Sequence, residues 1–185
     1  SRGVFAPAIH HHNGVFYVLN TLVDSGGNFI SSAKNPAGPW SDPVWLPEID
    51  GIDPSLFVDA DGKAYVLNNG APDEKPRYEG HRAIWMQEFD LQRLKLVGPR
   101  GVLLNGGGDI ARQRFWIEGP HVFKKGEWYY LMCAEGGTGP NQLAYLTYAD
   151  AQRPNRFVLP RQLMEGWYGA QGDNAFVNEA FNGGF

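Results

Sequence analysis

Cysteine is almost missing from this chain: Cys133 is the one thiol in 185 residues. A lone thiol excludes an intrachain disulfide and a thiolate metal cluster, and its setting in an apolar run marks it as a buried structural residue. Charge is sparse too, at 19% of residues with a net charge of −4. No basic stripe is present, which excludes nucleic acid as a partner. No apolar run approaches the roughly 20 residues of a bilayer-spanning helix, so no membrane association is expected. Helical periodicity is scarce throughout. No signal peptide is visible, and the compartment stays open. What abounds is glycine (24), proline (13) and aromatic side chains (14%). The 43% apolar content is that of a globular domain, and the glycine and proline point to many short turns.

The turns fall in a pattern. Ala6-Pro7-Ala8-Ile9 leads to Gly14 and then Phe16-Tyr17-Val18-Leu19. Asp53-Pro54-Ser55-Leu56 leads to Gly62 and then Ala64-Tyr65-Val66-Leu67. Gly119-Pro120-His121-Val122 leads to Gly126 and then Trp128-Tyr129-Tyr130-Leu131. Tyr follows each Gly by three residues and Leu by five, and the glycines lie 48 and 64 residues apart. Each phrase reads as a β-hairpin, and short strands repeating every ~40–50 residues are the mark of propeller blades. Proline cannot donate a ladder hydrogen bond, so it suits a strand's first residue or an edge. Each Pro is therefore taken to mark a strand entrance. Glu118 stands two residues before its Pro and Asp53 one before. If the first strand of each blade lines a central channel, both carboxylates open onto one cavity.

The chain divides accordingly into blades at about 1–49, 50–105 and 115–159, with 160–185 unassigned. The fold class is all-β, a partial β-propeller of about three blades. Three blades do not close a ring, since propellers have about four to eight, and the open blade edges offer a route to a homo-oligomer. Several other stretches read as structural. His10-His11-His12 cannot converge on one ion, because successive strand residues face opposite ways. Asp59-Ala60-Asp61-Gly62 reads as a hairpin turn rather than a calcium loop, for no Glu follows at the required distance. Gly106-Gly107-Gly108 lacks the strand-to-helix context of a phosphate loop and reads as a mobile rim. Glu135 is equally a pocket residue or a strand-end turn. No metal and no cofactor are expected.

Three phrases resemble glycoside hydrolase family 43: Gly3-Val4-Phe5-Ala6-Pro7, Gly51-Ile52-Asp53-Pro54-Ser55 and Ile117-Glu118-Gly119-Pro120-His121. Gly38-Pro39-Trp40-Ser41-Asp42-Pro43, His81-Arg82-Ala83-Ile84-Trp85 and Ala134-Glu135-Gly136-Gly137-Thr138 extend the likeness over residues 1 to about 138. The resemblance implies a five-bladed propeller and an inverting glycosidase acting on terminal β-D-xylosyl or α-L-arabinofuranosyl residues of hemicellulose-derived saccharides. It implies Glu118 as the general acid and Asp53 as the carboxylate that orients it and tunes its pKa. The catalytic base of the family lies ahead of the position of Phe5, so its absence from this stretch and weakened activity are expected. A non-catalytic glycan-binding or structural fragment that needs a partner chain is the rival reading.

The residues support those roles. Phe115, Trp116 and Ile117 would desolvate Glu118, and a neighbouring negative charge would raise its pKa further. Sugars present C–H faces that stack on aromatic rings. Phe5, placed at the same strand mouth as Asp53, and Ile52 are expected to wall the sugar pocket, with Trp85 and Trp116 as further substrate contacts. Should a base be present, Asp24, Asp173 and Glu179 are the first candidates.

Overall fold

The computed structural model of the protein describes residues 2–107, 110–126, 128–136, 143–150 and 157–165, the last two as backbone. Three antiparallel sheets follow one another along the chain. In the first, β1 (Gly3–Val4) and β2 (Ala8–His12) both pair with β3 (Val15–Val23), which pairs with β4 (Gly27–Ala33), and β5 (Val44–Trp45) closes the outside. The second runs β6 (Ile52–Val58), β7 (Ala64–Gly70), β8 (Ala83–Asp90) and β9 (Lys95–Asn105) from inside to outside. The third repeats the order with β10 (Ile117–Lys125), β11 (Trp128–Glu135), β12 (Leu143–Asp150) and β13 (Phe157–Glu165). The innermost strands are neighbours, with β6 between β2 and β10. Helix among the described residues is a single 3₁₀ turn, Ile110–Arg112.

Burial on both faces explains why the strands are apolar runs as well as alternating ones. Successive residues of a strand point to opposite faces. On β6, Leu56 joins Leu19, Ile30, Leu46 and Val66 between the first and second sheets, while Phe57 joins Leu67, Ile84, Ile117, Leu131 and Cys133 between the second and third. Cys133 is buried, as its setting suggested. The hairpin β2–β3 turns through Asn13 (φ 48°) and Gly14 (φ 76°), the positive pair that a two-residue Asn-Gly turn requires. Asp59 to Lys63 forms the next turn, with the Asp59 carboxylate accepting the Ala60 N–H at 2.6 Å. The same carboxylate accepts from the Tyr129 hydroxyl and from Lys124 Nζ, which ties this turn to the third sheet.

Pro7 stands at the entrance of β2, but the other two prolines do not stand at strand entrances. Pro54 and Pro120 lie inside β6 and β10, where the register slips by one residue: Ile52 faces Asn69 but Ser55 faces Leu67, and Glu118 faces Ala134 but His121 faces Met132. Between β1 and β2 the same slip occurs around Pro7, since Val4 faces Leu22 and Ala8 faces Leu19. A β-bulge leaves one residue without a ladder partner, so a residue lacking an N–H fits there at no cost. Two outer strands repeat the device. Pro99 lies where β9 slips against β8, which lets β9 begin at Lys95 rather than Gly101, and Pro160 lies where β13 slips against β12, which carries that strand past Leu159 to Glu165. Counting back from each bulge proline, Phe5, Ile52 and Glu118 occupy equivalent positions. Phe5 is therefore the counterpart of Glu118 and not of Asp53, whose counterpart in the third sheet is Gly119.

One glycine is fixed by close approach. Gly51 has φ 81°, and a Cβ there would sit 1.8 Å from the carbonyl oxygen of Asn69. Gly14 has a similar φ of 76° with nothing within 4 Å of the same position. Gly14→Ala is expected to cost the left-handed backbone penalty alone, about 1–2 kcal/mol, and Gly51→Ala clearly more, because strand β7 must move. Denaturant unfolding of the two variants measures this, and equal losses would contradict it.

Candidate active site

The start of β6 and the start of β10 meet through one hydrogen bond. Asp53 Oδ2 accepts the N–H of Gly119 at 3.1 Å, which sets the carboxylate beside the Glu118–Gly119 peptide. A second tie lies one step along: Ser55 Oγ donates to the Pro120 carbonyl at 2.5 Å. Both flank the bulges, where the ladder leaves backbone groups unpaired and side chains can reach them. The backbone is held in unusual conformations on both sides. Asp53 has φ 56° and Trp116 has φ 41°. Asp tolerates the left-handed region and a bulky aromatic does not, so Trp116 must be held in place. Its N–H donates to the Gly80 carbonyl at 2.9 Å, and its own carbonyl accepts from Gly136 N–H at 3.1 Å.

Glu118 is 7% exposed, and burial pushes its carboxyl up to about 7, helped by the charge of Asp53 and opposed by that of Arg82. Burial also raises Asp53, but the Gly119 N–H pulls it back. A donated hydrogen bond favours the ionised form. Burial thus raises both carboxyls, and the Gly119 N–H favours the charged form of Asp53 alone. Among the described residues no group of three His, Cys, Asp or Glu side chains could hold a metal.

The remaining expected contacts separate into two groups. Phe5, between β1 and β2 with its N–H on the Thr21 carbonyl at 3.0 Å, and Ile52, the first residue of β6, are both half-buried. Trp116 stacks on Phe115 with ring centroids 5.2 Å apart, and Arg82 Cζ lies 5.5 Å above its ring. Trp85 is not brought to Glu118 by any contact. It lies on β8, the third strand outward, where its indole N–H donates to the Ala71 carbonyl at 2.8 Å and Arg100 Cζ covers its ring at 4.0 Å. Asp24 is engaged by Arg2 at the β3–β4 turn, with a shortest distance of 2.6 Å. Asp173 and Glu179, with Gly108 and Thr138, fall outside the described residues, as does the side chain of Glu135.

Arg82 was the residue missed. It is the cation that acts on Glu118 and packs on Trp116. It stands on the chain between His81, 3% exposed, and Ala83, 0% exposed. His81 itself accepts the Arg77 N–H at Nδ1 (3.2 Å), so its Nε2 carries the proton and donates to Asn105 Oδ1 at 2.8 Å. A cavity of about 600 Å³ opens at the opposite, hairpin end of the sheets, lined by Asn13, Tyr17, Lys63, Glu88 and Gln92 among others, and does not touch the two carboxylates.

The family described as Glycosyl hydrolases family 43 matches residues 1–175. The chain belongs to that family. It is 51% identical over 140 residues to a xylosidase/arabinosidase of Butyrivibrio fibrisolvens, covering 75% of this chain and 26% of that protein. Among solved structures, a family 43 subfamily 12 protein retrieved from capybara gut metagenome superposes with a TM-score of 0.79 at 44% identity, over 86% of this chain and 30% of that one. A xylan β-1,4-xylosidase from Bacillus halodurans superposes with a TM-score of 0.67 at 36% identity, over 80% and 28%. The chain thus spans about a quarter to a third of the length of these relatives. The three sheets are blades of the five-bladed propeller of family 43, of which the chain supplies a part.

The raised carboxyl in this family 43 chain has a stability consequence. Its folded pKa of about 7 lies above the ordinary 4.5, so the folded state binds the proton more tightly than the unfolded one. Stability is full below about 4.5 and falls as pH rises toward and through 7, by about 3 kcal/mol in all. Glu118→Gln is expected to remove that loss, so the variant's stability relative to wild type should grow by about 3 kcal/mol from pH 5 to pH 8. Urea midpoints across this range test it. A difference between the two proteins that stays constant across the range would contradict the assignment.

Proposed function

We propose that the chain carries the acid side of an inverting glycosidase that removes terminal β-D-xylosyl or α-L-arabinofuranosyl residues from hemicellulose-derived saccharides. The observation that carries the reading is the pair itself: a buried carboxyl pushed up to about 7 beside a carboxylate tied to the adjoining peptide N–H. The name of the Butyrivibrio relative, xylosidase/arabinosidase, supports the substrate class.

In this reading Glu118 gives its proton to the glycosidic oxygen as the bond to the anomeric carbon breaks. Asp53, ionised, keeps that proton on Glu118 until the oxygen takes it, and Arg82 limits how far the pKa rises. Phe5 and Ile52 wall the sugar pocket, and Trp116 with Arg82 forms the rim. Inversion also needs a base on the far face of the sugar, about 6.5–9.5 Å from the acid, to activate water. Among the described residues, the charges that act on Glu118 are Asp53 and Arg82, and neither is placed for that task. This favours the rival reading of a sugar-binding piece for the chain taken alone. The blade limits 1–49, 50–105 and 115–159, with the last blade carried to Glu165, belong to the same proposal, as does pairing with a second copy through open blade edges.

General base assistance is typically worth about 10²–10⁴ in rate. The chain alone is therefore expected to bind xylose- or arabinose-containing sugars weakly and to turn them over at least about 10²-fold more slowly than a family member with its base. Residual turnover should vanish in Glu118→Gln for natural glycosides and survive in part for aryl glycosides with activated leaving groups, which need little protonation. Values of kcat/KM for both proteins on both substrate types decide this. Activity indifferent to Glu118→Gln would overturn the mechanism.

A further inference from the structure

The segment Ile49–Gly51 crosses from the outside of the first blade to the inner strand of the second, and it ends two residues before Asp53. It lies outside every strand, so its carbonyls have no ladder partners. Buried carbonyls must be paired somewhere, and here the partners are side-chain amides. Asn28 Nδ2 donates to the Ile49 carbonyl at 3.0 Å and to the Gly51 carbonyl at 3.2 Å. Asn68 Nδ2 donates to the Asp50 carbonyl between them at 2.6 Å, and to the Asn69 carbonyl at 2.9 Å. Three successive carbonyls are thus captured alternately from the first blade and from the second.

The two amides are built for this. Each is 2% exposed, and a side-chain amide supplies two N–H donors from one nitrogen. The Asn28 amide is fixed in orientation, because its Oδ1 accepts the Thr21 hydroxyl at 2.7 Å. The Asp50 side chain adds a further hold, accepting the Ala71 N–H at 3.1 Å and Arg100 Nη1 at 2.6 Å. Downstream, the chain has little freedom: Gly51 is pressed against the Asn69 carbonyl, and Asp53 follows in the left-handed region.

We propose that Asn28 and Asn68 are positioning residues that clamp the Ile49–Gly51 strap and so aim the Asp53 carboxylate at Gly119, with Thr21 as the residue that sets the Asn28 amide. The proposal rests on the roles given above to Asp53 and Glu118. A clamp of this kind acts at a distance. Loosening it lets the strap relax, and the Asp53 carboxylate swings away from the Glu118–Gly119 peptide without either carboxyl being changed. A merely structural pair of asparagines would cost stability and leave the proton on Glu118 undisturbed.

The test is the titration midpoint of Glu118, read by NMR of the chain with ¹³C-labelled glutamate carboxyls, in wild type, Asp53→Asn, Asn68→Leu and Thr21→Val. The charges that act on Glu118, Asp53 and Arg82, are unaltered in the last two variants. Thr21→Val is nearly isosteric and guards against a failure of Asn68→Leu to fold. Asp53→Asn is expected to lower the midpoint, and Asn68→Leu to lower it by at least half as much. Thr21→Val should shift it the same way by less, and Asn68→Leu should add nothing on top of Asp53→Asn. A midpoint moved by Asp53→Asn but unmoved in folded Asn68→Leu or Thr21→Val overturns the clamp alone. A midpoint unmoved by Asp53→Asn overturns the underlying roles and the clamp with them.

Discussion

The contact on which the rest depends is the hydrogen bond from the Gly119 N–H to the Asp53 carboxylate. It joins two blades at the level where their inner strands are bulged, and it sets the Asp53 carboxylate against the peptide that links Glu118 to Gly119. Asp53 needs that donor in return. Buried without it, the group would tend to stay neutral, and a neutral Asp53 would exert no charge on Glu118. The bulges create the arrangement. Asp53 and Gly119 each stand at a register shift with no ladder partner of their own.

The site is held at a cost in stability. A buried carboxyl whose pKa is raised weakens the fold wherever it ionises, and the left-handed Trp116 adds backbone strain. Apolar packing offsets both. Ile117, beside Glu118, is 1% exposed in the cluster that cements the second and third blades, so the buried carboxyl adjoins a residue that anchors its strand. Buried carboxyl and apolar core share one strand as successive residues.

Much of this was legible in the sequence. The repeat around Gly14, Gly62 and Gly126 located the three inner hairpins, and the apolar neighbours of Glu118 foretold its raised pKa. Proline was misjudged, because a residue without an N–H suits a bulge as well as a strand entrance, and spacing alone does not separate the two. The third blade was for that reason ended at Leu159, whereas Phe5 was misplaced beside Asp53 although it stands two residues before its proline, as Glu118 does. Trp85 looked like a sugar contact because exposed and buried indoles read alike in a sequence; its burial depends on Arg100, which a bulge in β9 brings over the ring. Arg82 and the amides of Asn28 and Asn68 were missed for a related reason. Their partners are backbone carbonyls or side chains brought near only by the packing of one blade on the next.

The central claim is that the ionised Asp53 carboxylate, bonded to Gly119, keeps Glu118 protonated. The amide resonance of Gly119 reports on both groups at once, since it donates to one and adjoins the other. Its ¹H–¹⁵N shift followed against pH should show two transitions in the wild type, one in the acid range from Asp53 and one near 7 from Glu118. In Asp53→Asn the first should disappear and the second should move to lower pH. A Gly119 resonance with no acid-range transition, or a Glu118 transition that keeps its place in Asp53→Asn, would contradict the account.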